Sequence, residues 1–360
     1  KPSISYAPSS LPILKAGVMS VVLTKSRFIN ALRCYFGYAL NRLGSALFHS
    51  PFSIHHSPIF ISVEPANICQ LRCPECPVGR GENPQSPITN HQSPMMPLEV
   101  FRRVLAECRE TASVIQFYFQ GEPLLNKDLP QMIHEAHEAG LYTIVSTNSQ
   151  AITPELAEAL VKSGLNRIII SMDGLSEASY NAYRIGGSLE KTKSALQYLR
   201  AAKNQSPITN HQSPITNHQS PIIELQVLRL RSNEHEWRAF KQQYKLFGAD
   251  RLVFKTAQLY DYQNGHPLMP TNPKYSRYIL GKDGKYHRRK LRKGCFRVWS
   301  GAVITTNGDV LPCCYDKSHA YAYGNIMEKP LRELFTNDKA LAFRQAAFRQ
   351  TPQICQECWK

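Results

Sequence analysis

Six short β-rich runs alternate with helical patterns between residues 60 and 255, and this alternation constrains the fold more than any other feature. Each helical stretch is long enough for a crossover between parallel strands. The pattern predicts an α/β fold, a partial (β/α)6 TIM-like barrel. The predicted strands are Phe60–Val63, Val114–Phe119, Tyr142–Ser146, Arg167–Met172, Ile223–Leu230 and Arg251–Lys255. The predicted helices are Leu98–Glu110, Asp128–Ala139, Pro154–Ser163, Ser188–Ala202 and Glu234–Phe247.

The rest of the chain divides around this barrel. We predict an N-terminal helical extension over 1–58, the barrel over 59–256, a basic linker over 257–294 and a small cysteine-rich α+β module over 295–360. A Ser-Pro-Ile-Thr-Asn-His-Gln unit occurs three times, at 86–92, 206–212 and 213–219. Pro and Asn at this density oppose helix and strand, so 84–96 and 205–221 are predicted to be surface insertions.

The N-terminal region is apolar but is interrupted by basic residues, so no membrane span is predicted. The run Ala16 to Leu23 is similar to the apolar part of a signal peptide, but no small-residue cleavage site follows it. The segment from Phe28 to Phe48 is rich in aromatic, Leu and Arg residues. A packed helix and a helix lying on a membrane surface both remain open for it.

Net charge is +16, and the densest basic run lies between Lys282 and Lys293. Such a run forms a solvated loop, or it attracts phosphate, an acidic peptide, nucleic acid or an anionic membrane face.

Cys69, Cys73 and Cys76 form a C-x3-C-x2-C pattern directly after the first predicted strand, where barrel enzymes place their chemistry. Three thiolates this close can hold a cubane iron–sulfur cluster and leave its fourth iron open to a ligand. Zinc is the alternative, although it usually takes four protein ligands in structural sites. Metal-ligand spacing among ten cysteines favours a reducing cytoplasm over an oxidising compartment.

With this loop the chain resembles the radical S-adenosylmethionine (SAM) superfamily, and further elements follow in the expected order. Gln120-Gly121-Glu122-Pro123 resembles the Gly-Gly-Glu-Pro turn near the SAM amino group, with Gln120 in place of a glycine. Thr147-Asn148 resembles the Thr-Asn-Gly element near the ribose, with Ser149 in place of the glycine. Ser171, Asp173 and Arg184 fall in elements that resemble Ser-x-Asp-Gly and Arg-x-Gly-Gly. The resemblance implies that Ser171 contacts the SAM ribose and Arg184 its carboxylate, which suits a guanidinium fork.

The C-terminal cysteines form a second group. Cys295 precedes an Asn307-Gly308 hairpin pattern, Cys313-Cys314 follows it, and a helical stretch from Pro330 to Phe348 leads to Cys355 and Cys358. This layout resembles the SPASM or shorter twitch module of the same superfamily, which carries an auxiliary [4Fe-4S] cluster. The resemblance implies that Cys295, Cys313, Cys355 and Cys358 are ligands. Cys314 is left open as an alternative ligand, a buried thiol or a hydrogen-atom donor, and a four-cysteine zinc ribbon is the alternative to the cluster.

The resemblance implies an enzyme with a SAM-binding [4Fe-4S] cluster and an auxiliary [4Fe-4S] cluster. It would cleave SAM reductively and use the 5′-deoxyadenosyl radical to abstract hydrogen, for peptide modification or small-molecule oxidation. A reductant such as flavodoxin or ferredoxin and a peptide or small anionic substrate are the implied partners. A metal-stabilised binding protein and an RNA-modifying radical enzyme are the alternatives, although no aromatic-rich RNA module is evident and no nucleic-acid partner is expected. Cys108 shares a predicted helix face with Phe101 and Val104, so it and Cys34 need no function.

Overall fold

A computed structural model describes residues 23–47, 53–82, 93–205, 220–289, 294–356 and 358. All three Ser-Pro-Ile-Thr-Asn-His-Gln units lie outside the described residues. The residues after the first unit are packed against the chain, because Met96 is buried and its N–H donates to the carbonyl of Pro65.

Six parallel strands form the centre of the molecule and confirm the predicted barrel fold. They are β1 (Phe60–Val63), β2 (Val114–Phe117), β3 (Tyr142–Thr147), β4 (Arg167–Ser171), β5 (Ile222–Arg229) and β6 (Arg251–Thr256). Each pairs in parallel with the next, in chain order. One face of each strand packs against the helices in the main core, as Ile115 and Val145 do, while Val114, Tyr142, Ile144 and Ile169 pack together on the opposite face. The second face is therefore the concave inner side of the barrel.

The helices between these strands follow the apolar periodicity of the sequence. They are α2 (Leu98–Cys108), α3 (Leu129–Glu138), α4 (Pro154–Lys162), α5 (Glu177–Asn181), α6 (Leu189–Gln205) and α7 (Trp237–Gln243). In α2, Phe101, Val104, Leu105 and Cys108 are buried together on one face, so Cys108 is a core residue. The last predicted helix is shorter than expected, because a 3-10 helix over Arg231–Glu236 precedes α7.

The C-terminal module continues the barrel sheet. Strand β9 (Gly301–Ile304) pairs in parallel with β1, and β10 (Asp309–Leu311) returns antiparallel to it through the predicted Asn-Gly turn. Strand β11 (Gly324–Asn325) completes a nine-stranded sheet in the described residues. The module also contains α8 (Phe296–Ser300), α9 (Leu331–Thr336), α10 (Asp338–Arg349) and α11 (Gln353–Gln356). The helix predicted from Pro330 to Phe348 is two helices, because Asn337 adopts an extended conformation and its side chain caps Ala340.

The segment between the barrel and the module is packed on the cysteine loop. It contains a hairpin of β7 (Tyr278–Leu280) and β8 (Tyr286–Arg288). Leu259, Met269 and Tyr278 share a small apolar core with Leu71 and Cys73. The described part of the basic run, up to residue 289, belongs to this hairpin.

Helix α1 (Lys25–Leu47) lies against the outside of the barrel and the module. Its Arg27 reaches the carbonyls of Arg109, Ala139 and Gly140, and its Cys34 packs with Trp299. In the described part of the chain, no helix combines the length and the apolar character needed to cross a bilayer.

Candidate functional site

The loop after β1 brings Cys69, Cys73 and Cys76 to the carboxyl end of the barrel. The loop is compact, since the N–H of Cys76 donates to the carbonyl of Cys73 at 3.1 Å and the N–H of Leu71 donates to Cys69 Sγ at 3.4 Å. Gly79 allows the loop to close, because a Cβ there would lie 2.6 Å from the carbonyl oxygen of Cys73. The three thiols thus line one turn of chain at the end of the sheet where such barrels act.

Burial keeps two of these thiols protonated when no metal is bound. It raises the pKa of Cys69 to about 11 and also raises the pKa of Cys73, against the opposing effect of the nearby Arg184 guanidinium. Arg184 Nη1 lies 3.8 Å from Cys73 Sγ. Because a thiolate is the form that binds metal, iron would replace these protons, and Arg184 would stabilise the resulting negative charge.

The turn after β2 is pressed against the cysteine loop. A Cβ on Gly121 would lie 2.2 Å from the carbonyl oxygen of Ala66, so only glycine fits there. The N–H of Glu122 donates to the carbonyl of Ile68 at 2.8 Å, and Pro123 begins a 3-10 turn. Gln120 replaces the glycine usual in the similar motif without strain, because its side chain donates to the carbonyl of Lys317 in the C-terminal module.

Glu122 connects the turns after β2 and β3. Its buried carboxylate accepts hydrogen bonds from Thr147 Oγ1 at 2.6 Å and from the N–H groups of Asn148 and Leu124 at 2.8 and 3.1 Å. Burial raises its pKa, whereas these donors favour the charged form. Asn148 in turn donates to Cys69 Sγ at 3.4 Å. The carboxylate therefore positions Asn148 beside the cysteine loop.

Ser149 stands where the similar motif has glycine, and its φ is +65°, in the left-handed region that glycine favours. Its hydroxyl donates to the carbonyl of Asn148 at 2.6 Å, and its oxygen lies 3.2 Å from Thr192 Oγ1. These bonds offset the backbone strain, so the turn keeps its shape without glycine.

Asp173 and Arg184 form a buried ion pair beside the cysteine loop, with 2.6 Å between Arg184 Nε and Asp173 Oδ2. The other carboxylate oxygen of Asp173 accepts the N–H of Leu228 at 2.6 Å. Ser171 is buried at the end of β4. Arg184 thus has one edge of its guanidinium fixed by Asp173 and another directed toward Cys73.

The C-terminal cysteines lie at the start of α8, after β10 and around α11. Burial raises the pKa of Cys313, and the neighbouring thiols of Cys314, Cys295 and Cys358 raise it further. Burial also raises the pKa of Cys355 to about 12, with added repulsion from Cys295 and Cys358. Cys313 and Cys355 therefore each lie within electrostatic range of Cys295 and Cys358, and Cys314 lies within range of Cys313.

Cys314 faces a different environment from its neighbour. Its Sγ accepts a hydrogen bond from Arg297 Nη1 at 3.5 Å, whereas Cys313 Sγ accepts one from the N–H of Tyr315 at 3.4 Å. The charge on Cys314 also affects the pKa values of Tyr118 and Lys255, at the ends of β2 and β6. Cys314 is therefore directed toward the inner side of the barrel.

Neither cysteine group has the arrangement of a single-ion site. Among the described residues, no three His, Cys, Asp or Glu side chains converge on a point where one metal ion could be held. A zinc site needs all its ligands around one ion. A cubane cluster instead takes each thiolate on a different iron, so its ligands need not converge on one point.

Charged residues inside the barrel were missed by the sequence analysis. Glu224 on β5 is fully buried, forms an ion pair with Arg167 on β4 and has a second carboxylate oxygen that is buried without a hydrogen-bond partner. The pKa of Arg297 is raised, first by Cys314 and against the effect of burial, so this cation lies close to the thiol. Tyr118 directly follows β2, which ends at Phe117. The predicted strand runs to Phe119, so Tyr118 counts there as part of the strand and not as a residue of the site at its end.

Comparison with known proteins gives two family matches. Residues 63–212 match the radical SAM superfamily, and residues 295–359 match an iron–sulfur cluster-binding domain called SPASM. Similar curated proteins include the PqqA peptide cyclase of Xanthomonas campestris pv. campestris (strain 8004), 25% identical over 329 residues that cover 84% of this chain and 80% of that protein. The PqqA peptide cyclase of Methylobacterium sp. (strain 4-46) is 25% identical over 323 residues, covering 84% and 79%.

Solved structures share the fold. Native anSMEcpe with bound AdoMet has a TM-score of 0.57 at 17% identity, covering 81% of this chain and 84% of that chain. Streptococcus suis SuiB bound to precursor peptide SuiA has a TM-score of 0.54 at 13% identity, covering 88% and 72%. The two family matches coincide with the two cysteine groups, so the chain carries a radical SAM domain over residues 63–212 and a SPASM module over residues 295–359.

Proposed function

We propose that this radical SAM enzyme modifies a peptide and that its reaction takes place on the inner side of the barrel, between the two cysteine groups. The observation that carries the proposal is that Tyr118, on the inner face after β2, lies near Arg297 and Cys314 at the border of the SPASM module. The turn that follows Tyr118, Gln120–Pro123, packs on the loop of the first cysteine group. Similarity to the PqqA peptide cyclases over most of the chain supports a peptide substrate.

Cys69, Cys73 and Cys76 are the proposed ligands of the SAM-binding [4Fe-4S] cluster. When bound there, the cluster and SAM supply the reductive cleavage that gives a 5′-deoxyadenosyl radical. The Gln120–Pro123 turn and Asn148 lie against the cysteine loop, where they would hold SAM. Asp173, Ser171 and Arg184 complete this side of the site, and the Arg184 guanidinium, held by Asp173, suits the SAM carboxylate.

Cys295, Cys313, Cys355 and Cys358 are the proposed ligands of the auxiliary [4Fe-4S] cluster. Their mutual electrostatic effects support this set. Cys314 is excluded from the proposed set because its Sγ faces Arg297 and the barrel.

The inner face favours a substrate segment with acidic or polar groups. Lys255 is exposed on the inner side of β6. It lies on the same face of β6 as Arg251, which pairs with Glu224 of β5, and Lys255 itself pairs with Leu228. Arg297 lies nearby across the barrel and Arg167 lies on β4. Because Arg167 is paired with Glu224, the positive charge that would attract carboxylates comes from Lys255 and Arg297.

The net charge of +16 would similarly attract an acidic one-electron reductant such as flavodoxin or ferredoxin. All ten cysteines are free of disulfides, which supports a reducing location such as the cytoplasm.

The first test is anaerobic reconstitution with iron and sulfide, followed by iron counting and a dithionite-driven assay for 5′-deoxyadenosine. We expect about eight irons per chain. A variant with Cys69, Cys73 and Cys76 changed to Ala should keep about four irons and lose SAM cleavage. Zinc in place of iron, or no 5′-deoxyadenosine from the intact protein, would overturn the catalytic proposal.

The adjacent pair Cys313 and Cys314 gives a matched test of the auxiliary ligands. We expect Cys313→Ala to lose about four irons and Cys314→Ala to keep all of them. Equal iron loss in both variants would contradict the ligand set. To test the substrate class, deuterated peptides and deuterated small anionic metabolites would be compared for transfer of deuterium into the 5′-deoxyadenosine product, and we expect transfer from a peptide.

A further inference from the structure

Helix α1 presents its polar side to the protein and its apolar side to solvent. The buried side chains of Arg27 and Asn30 donate to backbone carbonyls, Arg27 to those of Arg109, Ala139 and Gly140, and Asn30 to those of Ser57 and Thr111 at 3.0 Å. Asn41 donates to the carbonyl of Ser53 at 3.1 Å. The helix is therefore anchored by these hydrogen bonds and by the packing of Cys34 and Tyr38 against Trp299, and its exposed apolar side chains are not required for that attachment.

The solvent side of α1 forms a continuous apolar stripe. Phe36, Leu40 and Leu43 are 66%, 68% and 61% exposed. At 3.6 residues per turn, the members of the stripe fall within an arc of about 120°. We call this set the α1 stripe, and its members are Phe28, Ile29, Leu32, Phe36, Leu40 and Leu43. An exposed apolar surface of this length on a folded protein marks an interaction site.

Positive charge borders the stripe. Arg33 and Arg42 are exposed on opposite sides of it, and Lys25 lies at its beginning. Arg33 and Lys25 also line a cavity of about 530 Å³ beside the helix, together with His55 and Arg332. The first acidic residue in the whole chain is Glu64, so nothing in the preceding segment offsets this charge.

We propose that the α1 stripe binds an anionic lipid bilayer, with the helix parallel to the membrane surface. The apolar side chains would enter the acyl boundary, and the basic side chains at the edges and in the cavity would contact lipid phosphates. A second copy of this chain fits less well, because the two stripes would bring their basic edges together.

The test uses the full chain and flotation with vesicles of phosphatidylglycerol and phosphatidylcholine, compared with phosphatidylcholine alone. We expect binding to the anionic vesicles and much weaker binding to the neutral ones. The double variant Leu40→Ser, Leu43→Ser should bind the anionic vesicles about tenfold more weakly, because two exposed leucines no longer enter the bilayer. The matched control is Leu246→Ser, Leu280→Ser, which removes two leucines that are 81% and 61% exposed elsewhere.

The control should bind like the unchanged protein, and both double variants should keep SAM cleavage in solution, which shows that they are folded. A further variant, Lys25→Gln with Arg33→Gln, should lose the preference for phosphatidylglycerol. Three outcomes would overturn the proposal: no flotation of the unchanged protein, equal loss in both leucine variants, or equal binding to neutral and anionic vesicles. None of them bears on the proposed peptide modification, which is measured without membranes.

Discussion

Ser149 shows how a single residue keeps a turn that resembles a glycine-containing motif. Its left-handed backbone is tolerable because the hydroxyl and the N–H both find partners, the N–H donating to Thr147 Oγ1 at 2.9 Å. A β-branched residue would meet much greater steric conflict at this φ. The residue thus fixes the turn that presents Asn148 to the cysteine loop.

We expect Ser149→Val to destabilise the protein by about 1–3 kcal/mol, from backbone strain at positive φ. Ser149→Gly should change the free energy of unfolding much less, because relief of strain offsets the lost hydroxyl bonds. Urea unfolding of both variants measures the difference. Equal destabilisation by Val and Gly would mean that loss of the hydroxyl, and not backbone strain, determines the change in unfolding free energy.

Glu64 is a carboxyl group held in its protonated form. It is buried directly after β1, near the N–H groups of Gln120 and Thr306, and burial raises its pKa to about 8. One of its oxygens, Oε1, has no hydrogen-bond partner. Because an unfolded Glu titrates at about pH 4.3, the folded protein holds the extra proton between about pH 4 and pH 8. The contribution of Glu64 to stability therefore falls as pH rises through this range.

Glu64→Gln removes this titration while keeping the shape of the side chain. As the pH increases from about 5 to about 8, the melting temperature of the variant should rise relative to that of the unchanged protein. The reason is that the unchanged protein loses about 1.4 kcal/mol of unfolding free energy for each unit by which the folded and unfolded pKa values of Glu64 differ. Thermal unfolding across this range measures it, with the exposed Glu190→Gln as control. A difference in melting temperature that stays constant with pH would show that Glu64 titrates normally.

At the scale of elements, the turn after β2 and the loop after β1 depend on each other. The backbone approach at Gly121 and the bond from Glu122 to Ile68 bring the two carboxyl ends of neighbouring strands into one site. Parallel strands end at the same edge of the sheet, but the close contact between these two segments also requires a residue without a Cβ at position 121.

Gly121→Ala should separate the two segments, because the new Cβ meets a backbone carbonyl that cannot rotate away. We expect loss of SAM cleavage and of about four irons, with the auxiliary cluster kept. Iron counting and the 5′-deoxyadenosine assay test this result. Gln120→Ala is the neighbouring control, which loses only the bond to Lys317 and should keep both clusters. Full activity of Gly121→Ala would contradict the role of this approach.

At the scale of the whole molecule, three parts of the chain meet at Tyr260. Arg80 of the cysteine-loop segment lies 5.2 Å from the centre of its ring. Lys317 of the SPASM module donates to its hydroxyl at 2.9 Å, and the N–H of Tyr260 donates to Glu75. The segment after the barrel therefore joins the cysteine loop to the module.

Tyr260→Phe should reduce the free energy of unfolding by about 1 kcal/mol, through loss of one hydrogen bond. Tyr260→Ala should cost about 1 kcal/mol more, because the ring contacts with Arg80 and with Lys317, whose Nζ lies 5.4 Å from the ring centre, are also lost. Urea unfolding of the reconstituted protein measures both values. Tyr198→Phe, a partly exposed tyrosine on α6, is the control and should have little effect. An equal loss of unfolding free energy in Tyr260→Phe and Tyr260→Ala would show that the ring contacts do not stabilise the protein.

Local patterns determined much of the fold and part of the candidate site. The predicted runs of all six barrel strands coincide with observed strands to within two residues at each end, and the Asn307-Gly308 hairpin forms where predicted. Apolar periodicity and turn chemistry act over a few residues, so they can be read without the tertiary structure. The cysteine spacing likewise indicated iron–sulfur chemistry, which the family matches confirm.

Long-range contacts decided the rest. The pairing of β9 with β1 joins segments about 240 residues apart in sequence, and no local pattern specifies such a partner. Helix α1 has an ordinary amphipathic sequence, but the hydrogen bonds of Arg27 and Asn30 turn its polar side inward. Cys313 and Cys314 are adjacent in sequence, and the contacts of Cys313 with Tyr315 and of Cys314 with Arg297 distinguish them. Packing and hydrogen bonds between segments distant in sequence stabilise these arrangements. Such contacts form only in the folded chain, so no local pattern predicts them.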